Sequence, residues 1–461
     1  MTKISTALPA PVLIYLLCVV IPIWFNAGPL RLSILRLFLI VMIIPLMVQL
    51  FSGRFGRVLL TDYLMVVHVF WMAVALGVNS PDQMVTQVGS VGMELLGGYL
   101  VARAYIRTPE TFVALCKWIV LLVLIAAPFA VYETLTGKPM IVQMIRNLPG
   151  VSSIPVISIE KRLGLERVQA TFAHPIHFGL FCSVSVAMTF VALKGIFSTS
   201  KRFMLAVFSG AIGFLALSSG AFLAICLQAA LIIWAWVFNR SSYRWWILVG
   251  LFALAYVVVD ILSNRSPIKV FMSYATFSAH NAYWRAIIFE WGMKNVWANP
   301  LYGLGMNDWV RPHFMYSGSM DNFWLVMAVR YGILGFLTLA TGYAWAVFLI
   351  MRRKFESDLL LNIRRAWVFT FLGLSFTLST VHVWASIYSF VFFMFGAGIW
   401  LITTSENTRD AEKDLLASDK EMAERKFSRF PVTRNRETPG QTAVHPEPIH
   451  TSRNLAIKDF S

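Results

Sequence analysis

The chain has 461 residues, of which 58% are hydrophobic and only 13% charged, with a mean hydropathy of +0.67; so much apolar surface exceeds what a soluble domain of this length can hide in one core. A water-soluble globular protein is excluded, and so is a disulfide or thiolate-zinc framework, because Cys18, Cys116, Cys182 and Cys226 all fall inside apolar runs, where they act as small apolar side chains. The formal net charge of +16 resides before residue 404, since the tail beyond it carries ten basic and ten acidic residues; this excess is expected at helix ends that face anionic lipid, not on a nucleic-acid surface.

Apolar runs long enough to cross a hydrocarbon core, each needing about 20 residues, recur from the N-terminus to residue 403. A lipid-exposed backbone must satisfy its own hydrogen bonds, so they are expected as helices. The first spans lie near residues 8–26, 30–50, 58–78, 83–103 and 111–132. The first run follows a very short N-region and lacks a clear small-residue cleavage site, so it reads as helix one and not as a removed signal peptide. A long connection over 133–172 precedes spans near 173–193, 203–219, 221–238 and 245–263. A second, over 264–320, precedes spans near 321–350, 365–381 and 385–403. The fold class is therefore an all-α polytopic membrane protein of about twelve transmembrane helices, with residues 1–403 as the membrane domain. Residues 404–461 are rich in Ser, Thr, Pro and charge without a sustained apolar period, the composition of a disordered tail.

Lys and Arg in the short connections set the orientation. Arg54/Arg57, Arg103/Arg107, Lys194/Lys201/Arg202, Arg240/Arg244 and the group Arg352 to Lys354 with Arg364/Arg365 fall on alternate connections, which are read as cytoplasmic. Both termini are then inside and both long connections outside, where loops of this length are expected to carry function. Within the spans, Glu94 and His68 are costly enough to point to partners or a water-lined cavity, and a mutual structural contact is the plain expectation. Gly89, Gly92, Gly97 and Gly98 around Glu94 favour close helix packing.

The second long connection contains His280-Asn-Ala-Tyr-Trp-Arg285, Glu290-Trp-Gly, Asn299-Pro-Leu-Tyr-Gly-Leu-Gly305 and Arg311-Pro-His313, then Asp321-Asn-Phe-Trp324 leading into a helix that continues Arg330-Tyr-Gly-Ile-Leu-Gly335. These elements resemble the bacterial O-antigen ligase and O-antigen polymerase superfamily, of the exopolysaccharide polymerase type. So does the upstream segment Arg167-Val-Gln-Ala-Thr-Phe-Ala-His174-Pro-Ile-His-Phe-Gly179. The specific likeness covers two patches, around 162–180 and 280–335. It implies a bundle similar to the GT-C type and an enzyme of the inner membrane that transfers glycan at the periplasmic face. The implied donor is an undecaprenyl-diphosphate-linked oligosaccharide; the other partners are a glycan acceptor, membrane lipids and, as a further candidate, a chain-length regulator. It implies no cofactor and no metal. Two departures stand out: Asp321-Asn322 occupies the place where ligases commonly have His-Asn, and Ser218-Ser219-Gly220 lacks an arginine that many relatives show there.

The chemistry of such a donor matches the residues. Guanidinium forks hold diphosphate oxygens by bidentate, charge-assisted bonds, and those aimed at the leaving diphosphate stabilise the charge that develops there. Arg285, Asp321 and His313 are the candidate catalytic residues, with Asp321, His313, His280 or His174, and less well Glu290, as acceptor of the incoming hydroxyl's proton. Arg162, Arg167, Arg311, His174, His280 and Trp284 are the candidate diphosphate and glycan contacts. Each has a plainer reading: Asp321 as an N-cap, His174 before Pro175 as a helix start, outside arginines as headgroup contacts, and the aromatic series Tyr283, Trp284, Trp291, Trp297, Tyr302 and Trp309 as an interfacial belt. Polymerase is preferred over ligase because the histidine is missing at 321. A multi-helix transporter of a lipid-linked sugar or small solute is the rival from another class, although transporters concentrate their polar groups near the midplane.

Overall fold

The computed structural model describes residues 7–27, 30–157, 159–264, 270 and 279–405. The tail past residue 405, Arg265, which is another arginine of the second long connection, and the side chain of His280 lie outside the described residues.

All twelve expected spans coincide with helices. Among the described residues, nine helices are long and apolar enough to cross a membrane. The other three expected spans are α1 (Ala10–Val20), which is short, the pair α4 (Pro81–Gln87) and α5 (Met93–Tyr105), and α9 (Thr199–Phe214). The nine are built on α2 (Ile34–Phe51), α3 (Leu60–Asn79), α6 (Pro109–Thr136), α8 (Pro175–Ala187), α10 (Ser219–Val237), α11 (Arg244–Leu262), α13 (Phe323–Arg352), α14 (Asp358–Leu378) and α15 (Ala385–Gly396), the last continued by α16 (Trp400–Thr403). Among the described residues, two further helices, α7 (Met140–Arg146) and α12 (Ala279–Ala298), lie in the long connections.

Local sequence sets the ends. Thr108 accepts a hydrogen bond from Thr111 N with Pro109 at N1 of α6, and His174 Nδ1 accepts one from Ile176 N with Pro175 at N1 of α8, both the arrangement that satisfies orphan amides. The first span departs from expectation: α1 stops at Val20, ahead of Pro22, and β1 (Trp24–Ala27) pairs antiparallel with β2 (Leu30–Ser33). Trp24 also pairs with Ser152 in both directions (2.9 and 3.0 Å), tying the strand pair to the first long connection. Between α4 and α5 the glycine-rich stretch Val88–Gly92 adopts a π turn, the usual form of a one-turn bulge.

α5, α8 and α15 are central and α11 is peripheral, with no buried residue. Small residues allow the closest approach, as expected for helix association in lipid. A Cβ on Gly98 would meet Ser389 Oγ at 2.7 Å and one on Gly396 would meet Tyr99 O at 2.5 Å, whereas Gly89 faces open space. Glu94 and His68 do not meet. Glu94 accepts from Arg36 Nε at 2.8 Å, and His68 Nδ1 lies 2.8 Å from Gly335 O, so each is held by a partner the sequence did not single out. Arg103 is not a lipid-facing charge: it is buried against Asp62 (3.3 Å) and donates to Phe55 O and Arg57 O.

Hydrogen bonds sort the connections into two ends. Arg107 reaches Arg54 O, and Arg364 reaches Met351 O, at the arginine-rich end. At the other end the two long connections gather over the short turns at 79–80, 215–218 and 380–384.

Candidate functional site

The break in α13 positions one wall of the site. Gly332 has φ +74° and ψ −179°, a conformation essentially confined to glycine, and it divides α13 into 323–331 and 333–352. The Asn299-to-Gly305 turn plugs the break. Ile333 N donates to Pro300 O (2.7 Å), Leu304 N to Val329 O (2.8 Å) and Gly305 N to Arg330 O (2.9 Å). A Cβ on Gly303 would lie 2.5 Å from Val329 O, and one on Gly332 would lie 2.5 Å from Leu301 C. α3 closes the remaining side: Trp71 Nε1 donates to Tyr331 O (2.9 Å), Asn79 Nδ2 donates to Tyr302 O (3.1 Å), and Trp71 stacks on Tyr302 (5.6 Å). Every polar group named here is satisfied, which a break at membrane depth requires. The two glycine motifs of the second patch are thus the two halves of one joint.

The opposite wall comes from the first long connection. Leu163 (φ +53°) and Gly164 (φ +75°) make a two-residue turn between Arg162 and Leu165, which exchange hydrogen bonds of 3.1 and 3.0 Å; such a turn needs two positive φ angles. The following segment is clipped to the end of α6. Thr134 Oγ1 donates to Glu166 O (2.9 Å), and the buried Glu133 carboxylate accepts from Gln169 N (2.8 Å) and Ala170 N (2.9 Å). Between these clips, Arg162 Nη1 donates to Leu217 O (2.8 Å) and Arg167 Nε donates to Ala216 O (3.4 Å). The turn preceding Ser218-Ser219-Gly220, which has no arginine of its own, is therefore reached by two from elsewhere in the chain.

Arg285, on α12, joins this group. Burial holds its guanidinium below the usual arginine range, with Asp321 opposing the shift and Arg162 adding to it, and its Nε is buried with no partner among the described residues. Burial, then Arg162, lowers Arg167 to about 10; Arg162 is lowered by burial while Glu160 opposes. All three stay cationic at neutral pH. Beside them His174 is lowered to about 4 by burial, Arg167 and Arg162, and His382 to about 3 by burial and Arg330, so both imidazoles are neutral. Trp384 gathers the histidines, its ring centroid lying 5.7 Å from His174, 4.2 Å from His177 and 5.9 Å from His382. His177 Nε2 and His382 Nδ1 are buried without partners among the described residues.

The structure therefore brings Arg162 and Arg167 onto one turn, with Arg162 acting electrostatically on Arg167, Arg285 and His174 and Asp321 acting on Arg285; it adds Arg330, His177, His382 and Trp384, which the sequence did not single out. Asp321 is not the helix cap: Asn322 Oδ1 accepts from Leu325 N (3.1 Å), while exposed Asp321 accepts from Ser319 Oγ (3.2 Å). Trp284 neighbours Asp321 in an open pocket. Arg311 is engaged within its own loop, with Asp308 (2.5 Å), Met315 O and the Trp309 ring. His313 is exposed on that loop, and no described contact joins it to Arg285.

Residues 204–340 match the O-antigen ligase family. This supports the O-antigen ligase and polymerase superfamily for the chain and, in general terms, a membrane glycan transfer of the O-antigen ligase and polymerase kind. The matched segment contains Arg285, the Asn299-to-Gly305 turn, Asp321 and the α13 break, whereas Arg162, Arg167 and His174 precede it. No curated protein matches the chain significantly.

Proposed function

We propose that the chain is a membrane glycosyl-transferring polymerase that joins undecaprenyl-diphosphate-linked oligosaccharide repeats at the periplasmic face of the inner membrane. One observation carries this reading: Arg162 and Arg167 both reach the 216–217 turn, and Arg162 acts electrostatically on Arg167 and on the largely buried Arg285, with Asp321 and Glu160 as the acidic groups that oppose the shifts. Like charges held together out of water are costly, and a diphosphate would offset that cost by charge-assisted bonds. In the reaction the bond from the donor's anomeric carbon to the diphosphate oxygen breaks, and its electron pair leaves on the carrier diphosphate, which the arginines stabilise. The acceptor hydroxyl oxygen forms the new glycosidic bond, and its proton passes to Asp321. The guanidiniums supply the charge for which other transferases use a divalent ion, so activity is expected to persist in a chelator.

In this reading the arginine-rich end is cytoplasmic, together with both termini and the tail. The polymerase preference over ligase rests on Asp321 standing where ligases commonly place histidine. A midplane carrier is disfavoured because Glu94, the acidic group such a site would use, is committed to Arg36. The test is reconstitution of the full chain with a lipid-linked repeat unit alone. Polymer formed without added lipid core supports the polymerase, transfer that requires a lipid core supports a ligase, and loss in Glu94→Ala but not in Arg285→Ala would refute transfer at the arginine cluster. Arg285→Lys is expected to lose most activity, since a point ammonium cannot reproduce the planar fork.

A further inference from the structure

Beside the arginine cluster, the loop between α12 and α13 leaves an open cavity of about 400 Å³ whose walls include Trp284, Phe314, Tyr316, Ser317, Ser319 and Asp321. That volume is within the range of small-ligand pockets, about 300–1,000 Å³. We propose that this pocket is the subsite for the acceptor glycan, that it binds a neutral or amino sugar, and that it disfavours a uronate; the inference rests on the transfer reaction proposed above.

Three features specify the ligand. The rings of Trp284 and Phe314 meet at 5.9 Å and 57°, and Phe314 and Tyr316 are exposed, Tyr316 by 93%. Apolar faces turned to a wet cavity suit the C–H face of a sugar ring, which is itself apolar on one side and polar at its edge. The polar members are hydroxyls and one carboxylate. Asp321 Oδ1 accepts from Ser319 Oγ at 3.2 Å, and a carboxylate has about four acceptor positions, which leaves capacity for sugar hydroxyls. Among the described residues no lysine or arginine lines the pocket, so the one charged group described in its wall, Asp321, repels an anionic sugar. The diphosphate and the acceptor thus have separate places on the basis of charge alone.

Asp321 belongs to both. It lines the pocket and also acts electrostatically on Arg285, whose chain neighbour is Trp284. A hydroxyl bound in the pocket is thereby presented to its proton acceptor next to the guanidinium that holds the leaving group. An aromatic belt at the membrane surface would turn its rings toward lipid, and a carboxylate in a cavity serves no purpose there.

The experiment measures binding apart from transfer. Full-length protein in lipid nanodiscs is titrated, by fluorescence anisotropy, with end-labelled oligosaccharides released from the host strain's surface polysaccharide, and with tetragalacturonate as the anionic probe. Binding of the neutral or amino-sugar oligosaccharides is expected, weakened about tenfold or more, the equivalent of one lost stacking contact, in Trp284→Ala and in Phe314→Ala, and largely restored in Trp284→Phe. Arg285→Ala should retain binding while losing transfer. The subsite is refuted if these oligosaccharides do not bind, if both alanine variants bind as the parent does, or if tetragalacturonate competes equally well. Binding that depends on Trp284 in a protein that transfers nothing from a lipid-linked donor would keep the subsite and refute the polymerase.

Discussion

Replacing Gly332 by alanine tests the joint on which the site is built. The alanine Cβ would stand 2.5 Å from Leu301 C and 2.8 Å from Pro300 O, both backbone atoms, so no side-chain rotation relieves the clash. The φ of +74° and ψ of −179° add about 1–3 kcal/mol of strain for a residue with a Cβ. Displacing the turn breaks the bonds from Ile333 N, Leu304 N and Gly305 N, each contributing about 1 kcal/mol. Together the loss is about 4–6 kcal/mol by these values. The assay is thermal unfolding of purified protein, combined with amide exchange over 299–305. Gly332→Ala should unfold well below the parent and lose protection in that turn. Gly250→Ala, at a peripheral α11 position with nothing within 4 Å, should be neutral or slightly stabilising, since alanine gains up to about 1 kcal/mol over glycine in a helix. A Gly332→Ala midpoint within about 2 °C of the parent, with protection intact, would refute the account of the break.

Three further predictions concern the site itself. Glu133→Gln leaves one acceptor and adds a donor facing an amide, so it should destabilise by about 2–4 kcal/mol and cut transfer by releasing the segment that carries Arg167; unchanged stability would deny the clip. Asp321→Asn should nearly abolish polymer formation at unchanged thermal stability, because Asn322, not Asp321, caps α13; retained activity removes Asp321 as proton acceptor. His174 is lowered from 6.5 to about 4 and His382 to about 3, so between these values and 6.5 the unfolded chain binds protons that the folded chain does not. Stability is then full above pH 6.5 and declines as the pH falls toward 4. A double His174→Gln, His382→Gln variant should show a shallower decline over that interval, measured by unfolding midpoints, and a parallel decline would exclude these two groups as its source.

Helix positions were legible in the sequence because crossing lipid demands long apolar runs whatever their neighbours do. The grouping of Arg162, Arg167 and Arg285 could be expected only as far as one end of the bundle, since charge asymmetry assigns loops to a face and says nothing about distance within it. Arg330, although it opens the Arg330-to-Gly335 motif, was hidden inside a span, and His382 lay in a turn three residues ahead of a buried aromatic helix, so neither was singled out as a site residue. The two glycine motifs were both visible, but their relation was not: Gly332 reads as an ordinary small residue of a membrane helix until Pro300 and Leu301 are placed against it. Glu94 and His68 were rightly marked as needing partners. Which partners they took, Arg36 and the Gly335 carbonyl, depended on packing across sequence separations of 58 and 267 residues.

The divided form of α13 has a bearing on how the chain is made. A segment of 30 residues enters the bilayer before residues 299–305 have anything to dock on, and on its own it has every reason to remain straight, with its backbone bonded internally. Bending it exposes carbonyls that only the preceding loop, Trp71 and His68 can accommodate. The final shape of this helix is therefore a product of assembly and not of insertion, and a fragment beginning at α13 should reproduce its length but not its bend.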